Sequence, residues 1–137
     1  MFFKHNFPWI IWAIIILVLI GLPPNDFPST SFLNIPHKDK IVHTGLFFIF
    51  AFLLARGFVL QNKFQFLTKF SLLSAFIISS CYGGLTELLQ GPGSLFPLRS
   101  CDFFDFVFDS IGSLLGILLF IALKNKISKR GNPAILK

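Results

Sequence analysis

Four apolar stretches dominate this chain of 137 residues, over residues 7–22, 41–60, 70–90 and 103–123. Each approaches or meets the ~20 largely apolar residues that a helix needs to cross the hydrocarbon core of a bilayer. With 54% hydrophobic and only 13% charged side chains, the chain has little left over for a soluble domain. The expected fold is an all-α integral membrane protein, a single domain of four transmembrane helices spanning residues 1–137.

The first stretch follows Lys4 and His5 and has the outline of a signal peptide. The segment "LIGLPPNDF" after it offers no small-residue cleavage site, so it reads as a retained anchor. At about 24 Å of helical rise it is short for the membrane, and Phe2 and Phe3 are the natural extension. Trp9 and Trp12 read mainly as interfacial anchors, and the twenty phenylalanines as packing and lipid contact.

Basic residues set the orientation. Lys4, Arg56, Lys63, Lys69, Lys124, Lys126, Lys129, Arg130 and Lys137 all fall on one side by parity, and that side is expected to be the cytoplasm. Both chain ends then lie inside. The net charge of +6 is explained as a topology signal and a contact for anionic inner-leaflet lipid, not as a nucleic-acid surface. Cys81 lies within the third stretch and Cys101 at the outer end of the fourth, depths that do not match for a disulfide. Two free thiols are expected.

The acids partition the other way. Asp26 and Asp39 fall in the first outer loop, Glu87 near the outer end of the third stretch, and Asp102, Asp105 and Asp109 descend from the outer end of the fourth. Asp102, Asp105 and Asp109 stand at i, i+3 and i+7 and share one helix face, which continues inward through Gly112 and Gly116. A G-x-x-x-G stripe lets a second helix approach closely, so this face should point into the bundle. Gly83, Glu87 and Gln90 make a matching face on the third helix. The second helix opens "HKDKIVHTGLFF", which places Lys40 and His43 at the same level.

Charges inside a membrane are costly, by about 2.5–3.5 kcal/mol at its centre, unless paired, protonated or open to water. The arrangement expected is an outward polar pocket in which Arg99 and Lys40 oppose Asp105 and Glu87 while His43 bonds to a carboxylate. His43, Glu87 and Asp105 are the candidates for acid–base catalysis; His43, Glu87, Asp105 and Asp109 are those for holding a divalent cation. Lys40, His43, Glu87, Gln90, Arg99, Asp102, Asp105 and Asp109 are the candidate ligand-binding set. No G-x-S-x-G, H-E-x-x-H or paired-histidine phosphatase motif accompanies them, so catalysis is permitted without being indicated.

The motifs "HKDKIVHTGLFF", "GLTELLQ" and "RSCDFFDFVFDSIGSLLG", in this order, resemble the VanZ-like membrane protein family. The matching positions are Asp39, Lys40, His43, Glu87, Gln90, Arg99, Asp105, Asp109, Gly112 and Gly116, which together reach across most of the chain. Asp109 stands where that family usually has asparagine, and the segment from Gln90 to Arg99 is longer than usual. The resemblance implies a bacterial inner-membrane protein acting at the outer surface in cell-envelope biology, with a link to glycopeptide (teicoplanin) resistance. It supplies no reaction.

Three functions are compatible with these residues. The first is binding, with or without modification, of an anionic envelope lipid or lipid-linked precursor headgroup, bridged by a cation because acids predominate. The second is a structural or assembly subunit that packs against an envelope membrane-protein partner or a second copy. The third is a proton- or cation-coupled carrier, which a four-helix chain without internal repeat fits least well.

Overall fold

The computed structural model describes residues 2–22, 38–91, 93–96 and 101–131, except for the side chains of Lys38 and of residues 125–131. Among the described residues the helices are α1 (Phe2–Gly21), α2 (Lys38–Leu60), α3 (Gln65–Lys69), α4 (Ser71–Leu88) and α5 (Phe103–Gly131). Four of them, α1, α2, α4 and α5, are long and apolar enough to cross a membrane. The short α3 links α2 to α4. The protein is therefore a multi-pass membrane protein by the length and composition of its helices.

The helix limits depart from the apolar stretches for identifiable reasons. α1 starts at Phe2 rather than residue 7, because Asn6 Nδ2 donates to the Phe2 carbonyl at 2.9 Å and so ties down the first turn. α2 is described from Lys38, since lysine is a good helix former and Asp39 in the first turn suits the helix N-terminus, though both are poor lipid contacts. α5 runs beyond position 123 and is described to Gly131; at about 43 Å it is longer than the hydrocarbon core. Hydropathy marks where lipid ends, and a helix can continue past that level.

α4 ends at Leu88, short of position 90, because the chain turns back on itself. Phe96 N–H donates to the Leu89 carbonyl at 2.9 Å, and Ser94 Oγ donates to the carbonyls of Leu89 and Gly91. Gly91 sits at φ +114°, a conformation that side chains disfavour and that this reversal requires. The turn lays the Phe96 ring against Gly21 at the end of α1.

α2 occupies the centre and packs on α1, α4 and α5, most extensively on α5. Lipid tails are as apolar as leucine, so apolar side chains alone give helices little reason to prefer each other in a membrane; close approach and interhelical hydrogen bonds do. Gly112 and Gly116 of α5 rest directly on the carbonyls of Thr44 and Phe48 of α2, leaving no room for a Cβ. α2 and α5 thus run parallel, with Phe52 and Phe120 continuing the contact at 5.9 Å between ring centres. Ser79 and Ser113 share a buried hydrogen bond of 2.7 Å between α4 and α5. Trp12 Nε1 donates to the Leu46 carbonyl at 2.9 Å, Trp9 Nε1 donates to Asn6 Oδ1 at 2.7 Å, and Tyr82 donates to the Ala13 carbonyl at 2.7 Å. The tryptophans therefore do more than anchor: both indole N–H groups are satisfied within the protein.

At the end of the bundle where α2 meets α3, buried Gln61 organises the connection. Its Nε2 donates to the Phe64 carbonyl and to Thr68 Oγ1, while its Oε1 accepts from the N–H groups of Lys63 and Phe64, all at 2.7–2.9 Å. Removing this side chain takes the acceptor from the N–H groups of Lys63 and Phe64. Gln61→Ala is expected to lower stability by about 2 kcal/mol, read as a lower midpoint of unfolding in detergent with the helix content at room temperature retained.

Candidate functional site

The pairing of helices brings every described acid to one end of the bundle. Asp39 opens α2, Glu87 closes α4, and Asp102, Asp105 and Asp109 lie just before and within the first two turns of α5. Lys4, Arg56, Lys63, Lys69, Lys124, Lys126, Lys129 and Arg130 stand toward the opposite end, while Lys38 and Lys40 stand at the acid end. Arg99 and Asp26 lie outside the described residues.

Lys40 reaches from α2 to α5. Its Nζ is 3.0 Å from Asp102 Oδ2 and 2.9 Å from Asp105 Oδ1. Asp102 lies at the rim, 40% exposed against 6% for Asp105. The hydrogen bond from Lys40, helped by one from the Phe104 N–H, holds the Asp102 carboxyl below the ordinary carboxylate range. The pairing expected between Lys40 and Glu87 is not formed. Glu87 Oε2 instead accepts the backbone N–H of Asp102 at 3.0 Å, because the reversal after α4 carries the start of α5 over the end of α4.

One turn deeper, His43 Nδ1 lies 3.0 Å from Asp109 Oδ1, and both side chains are buried. An ionised carboxylate only accepts, so with Asp109 charged it is the imidazole Nδ1–H that donates. The other Asp109 oxygen, Oδ2, faces Gly83 on α4, where a Cβ would come within 3.0 Å of it. Gly83 is one turn from Glu87 on the same helix. The cluster therefore joins three helices: α2 through Lys40 and His43, α4 through Gly83 and Glu87, and α5 through its aspartates.

Among the described residues, buried Glu87 Oε1 and Asp109 Oδ2 have no hydrogen-bond partner, and neither has Gln90 Nε2 just beyond α4. The donor atoms of His43, Glu87 and Asp109 lie within 4.8 Å of one another, as do those of Asp39, His43 and Asp105. Both sets carry the imidazole-plus-carboxylate chemistry of a divalent-cation site.

Outside the cluster, an apolar groove of about 390 Å³ runs between α2 and α5, lined by Lys40, Ile41, Phe104 and Phe108. The Lys40 ammonium stands 5.6 and 5.7 Å from the ring centres of Phe104 and Phe108. This groove was not legible in the sequence. The i, i+4 spacing of Phe104 and Phe108 beside Asp105 is its one signal, and twenty phenylalanines bury that signal in background. Cys81 and Cys101 are free thiols. The chain matches no protein-family model, no curated protein and no solved structure.

Proposed function

We propose that the protein binds the anionic headgroup of an envelope lipid or lipid-linked precursor at the acid-rich end of the bundle. In this reading it resides in the bacterial inner membrane, with both chain ends in the cytoplasm and the cluster facing outward. The segregation of basic and acidic residues to opposite ends supports the orientation. The resemblance of the motifs around Lys40, His43, Glu87, Arg99 and Asp105 to the VanZ-like family supports the link to envelope biology and to glycopeptide susceptibility.

The observation that carries the reading is the groove lined by Ile41, Phe104, Phe108 and Lys40. A lipid chain lying there would bring its phosphate to the ammonium, at the edge of the membrane. Asp102 is the exposed partner of Lys40, so a phosphate can take its place while Asp105 keeps the lysine oriented. Arg99, three residues before Asp102, would supply a planar fork for the same phosphate.

Native mass spectrometry of protein purified in mild detergent tests this directly. Wild type should retain an anionic lipid, and Lys40→Gln should reduce its occupancy about tenfold or more, the magnitude of a lost charge-assisted hydrogen bond. Equal occupancy in wild type, Lys40→Gln and Arg99→Gln, or none in the wild type, would sink the proposal.

The reading as a structural subunit draws on a different observation: Lys40 and His43 are already paired across the α2/α5 interface. Under it, Lys40→Gln lowers recovery of folded protein or of a co-purifying membrane partner while leaving lipid content unchanged.

A further inference from the structure

We propose that His43, Glu87 and Asp109 form a binding site for one divalent first-row transition-metal ion, of the Zn²⁺ or Mn²⁺ type, where α2, α4 and α5 meet. The site rests on reading the cluster as a ligand site; it does not require the headgroup.

Geometry comes first. The three residues come from three helices, yet their donor atoms converge to within 4.8 Å of one another. All three side chains are buried: His43 is 3% exposed, Glu87 4% and Asp109 0%. They stand on α2, α4 and α5, helices whose positions are fixed by the contacts of Gly112 with Thr44 and of Ser79 with Ser113. A site held by helices is one that an ion can enter with little rearrangement of the backbone.

The second observation is independent of that convergence. Each carboxylate uses one oxygen and leaves the other idle: Glu87 Oε2 accepts from the Asp102 N–H and Asp109 Oδ1 from His43, while Glu87 Oε1 and Asp109 Oδ2 have no partner among the described residues. Buried polar atoms are nearly always hydrogen-bonded, and an idle carboxylate oxygen away from water is costly. Asp109 Oδ2 also points toward α4, against Gly83, one turn from Glu87. Any side chain larger than glycine at position 83 would crowd it.

Charge chooses between an ion and a water molecule as the missing partner. Among the described side chains, the acid end holds Asp39, Glu87, Asp102, Asp105 and Asp109 beside Lys40 and His43. Water could donate to both idle oxygens but brings no positive charge to the two buried carboxylates. A divalent cation satisfies the oxygens and neutralises the charge together. The imidazole selects the class, because Ca²⁺ and Mg²⁺ prefer all-oxygen shells whereas Zn²⁺ and Mn²⁺ accept one nitrogen with carboxylates. The alternative triad of Asp39, His43 and Asp105 is less suited, since Lys40 already engages Asp105.

The test uses the full chain in detergent, stripped with a chelator and desalted. Zn²⁺ and Mn²⁺ are added separately, bound metal is measured by elemental mass spectrometry, and the Co²⁺ form is examined by visible absorption. One equivalent in wild type is expected, with binding at least tenfold weaker in Glu87→Gln and in Asp109→Asn, and unchanged in Asp39→Asn. Both amide variants keep an oxygen to accept the existing hydrogen bond, and helix content by circular dichroism verifies their folding. The absence of stoichiometric metal in wild type overturns the site, which needs no variant to decide. Binding retained in Glu87→Gln and Asp109→Asn, or lost only in Asp39→Asn, overturns the assignment of ligands. Lipid content is scored on the same preparations: metal without lipid removes the headgroup reading alone, and lipid without metal removes the cation site alone.

Discussion

Gly116→Ala should be among the most damaging single substitutions in the molecule, although it adds one methyl group to a helix that ought to welcome alanine. The added Cβ would fall on the Phe48 carbonyl oxygen of α2. That oxygen belongs to a helical backbone and cannot rotate away as a side chain could, so α2 and α5 must separate. Their separation loosens the phenylalanine contact below and the Lys40 and His43 pairs above. Overpacking typically costs about 1–3 kcal/mol, and the rigid acceptor here places the expected loss near the upper end. Gly45→Ala is the control. It lies on the same α2 helix, its Cβ would meet nothing within 4 Å, and helix propensity favours alanine over glycine by about 1 kcal/mol. Unfolding of both variants in detergent should move in opposite directions. Equal midpoints for Gly116→Ala and wild type would mean that the close α2/α5 contact contributes nothing to stability.

His43→Ala should be at least as damaging, for an electrostatic reason. The imidazole gives buried Asp109 Oδ1 its interhelical partner. Removing one member of a buried pair typically costs about 3–5 kcal/mol, chiefly because the other is left charged or polar without compensation. Asp109→Asn should be much milder, since the amide can still bond to the ring nitrogen across the same 3.0 Å gap. The double variant His43→Ala, Asp109→Ala should recover part of the loss, because it removes the stranded group along with its partner. A double-mutant cycle in detergent measures this directly. Additive losses would show that the two residues do not depend on each other.

These two predictions divide along the line between what the residues announce and what packing decides. The spacing of Asp105, Asp109, Gly112 and Gly116 places them on one face of a helix whatever surrounds it, because the period of the α-helix alone requires that. The face buried in the structure is this one. Nothing in that spacing names α2 as the helix it meets, or Thr44 and Phe48 as the carbonyls beneath the glycines. Lipid-facing and interior residues in these helices are equally apolar, so the hydropathy that locates a span is silent about its partners.

The cluster shows the same division. Intramembrane acids mark themselves by their rarity, and Glu87, Asp105 and Asp109 stand out from the sequence on that ground. Their partners do not. Lys40 lies as near in sequence level to Glu87 as to Asp105, and the choice of Asp102 and Asp105 depends on the parallel pairing of α2 with α5. Glu87 is left to a backbone N–H because the residue just before α5, Asp102, lies against the end of α4. Gln61 and Asn6 gave no sequence signal as structural residues, since a single amide at a helix end is ordinary; their roles exist only once the chain has folded around them.

By itself, the sequence determined that the chain forms helices able to cross a membrane, and which residues share a face on each. Backbone hydrogen bonds must close within a helix when no water is present, and that need acts on each segment alone. The tertiary structure decided which helix meets which, which carboxylate takes the lysine, and which oxygens remain idle. Those outcomes depend on distances of a few tenths of an ångström between helices far apart in the chain, and glycine on carbonyl is where those distances are set.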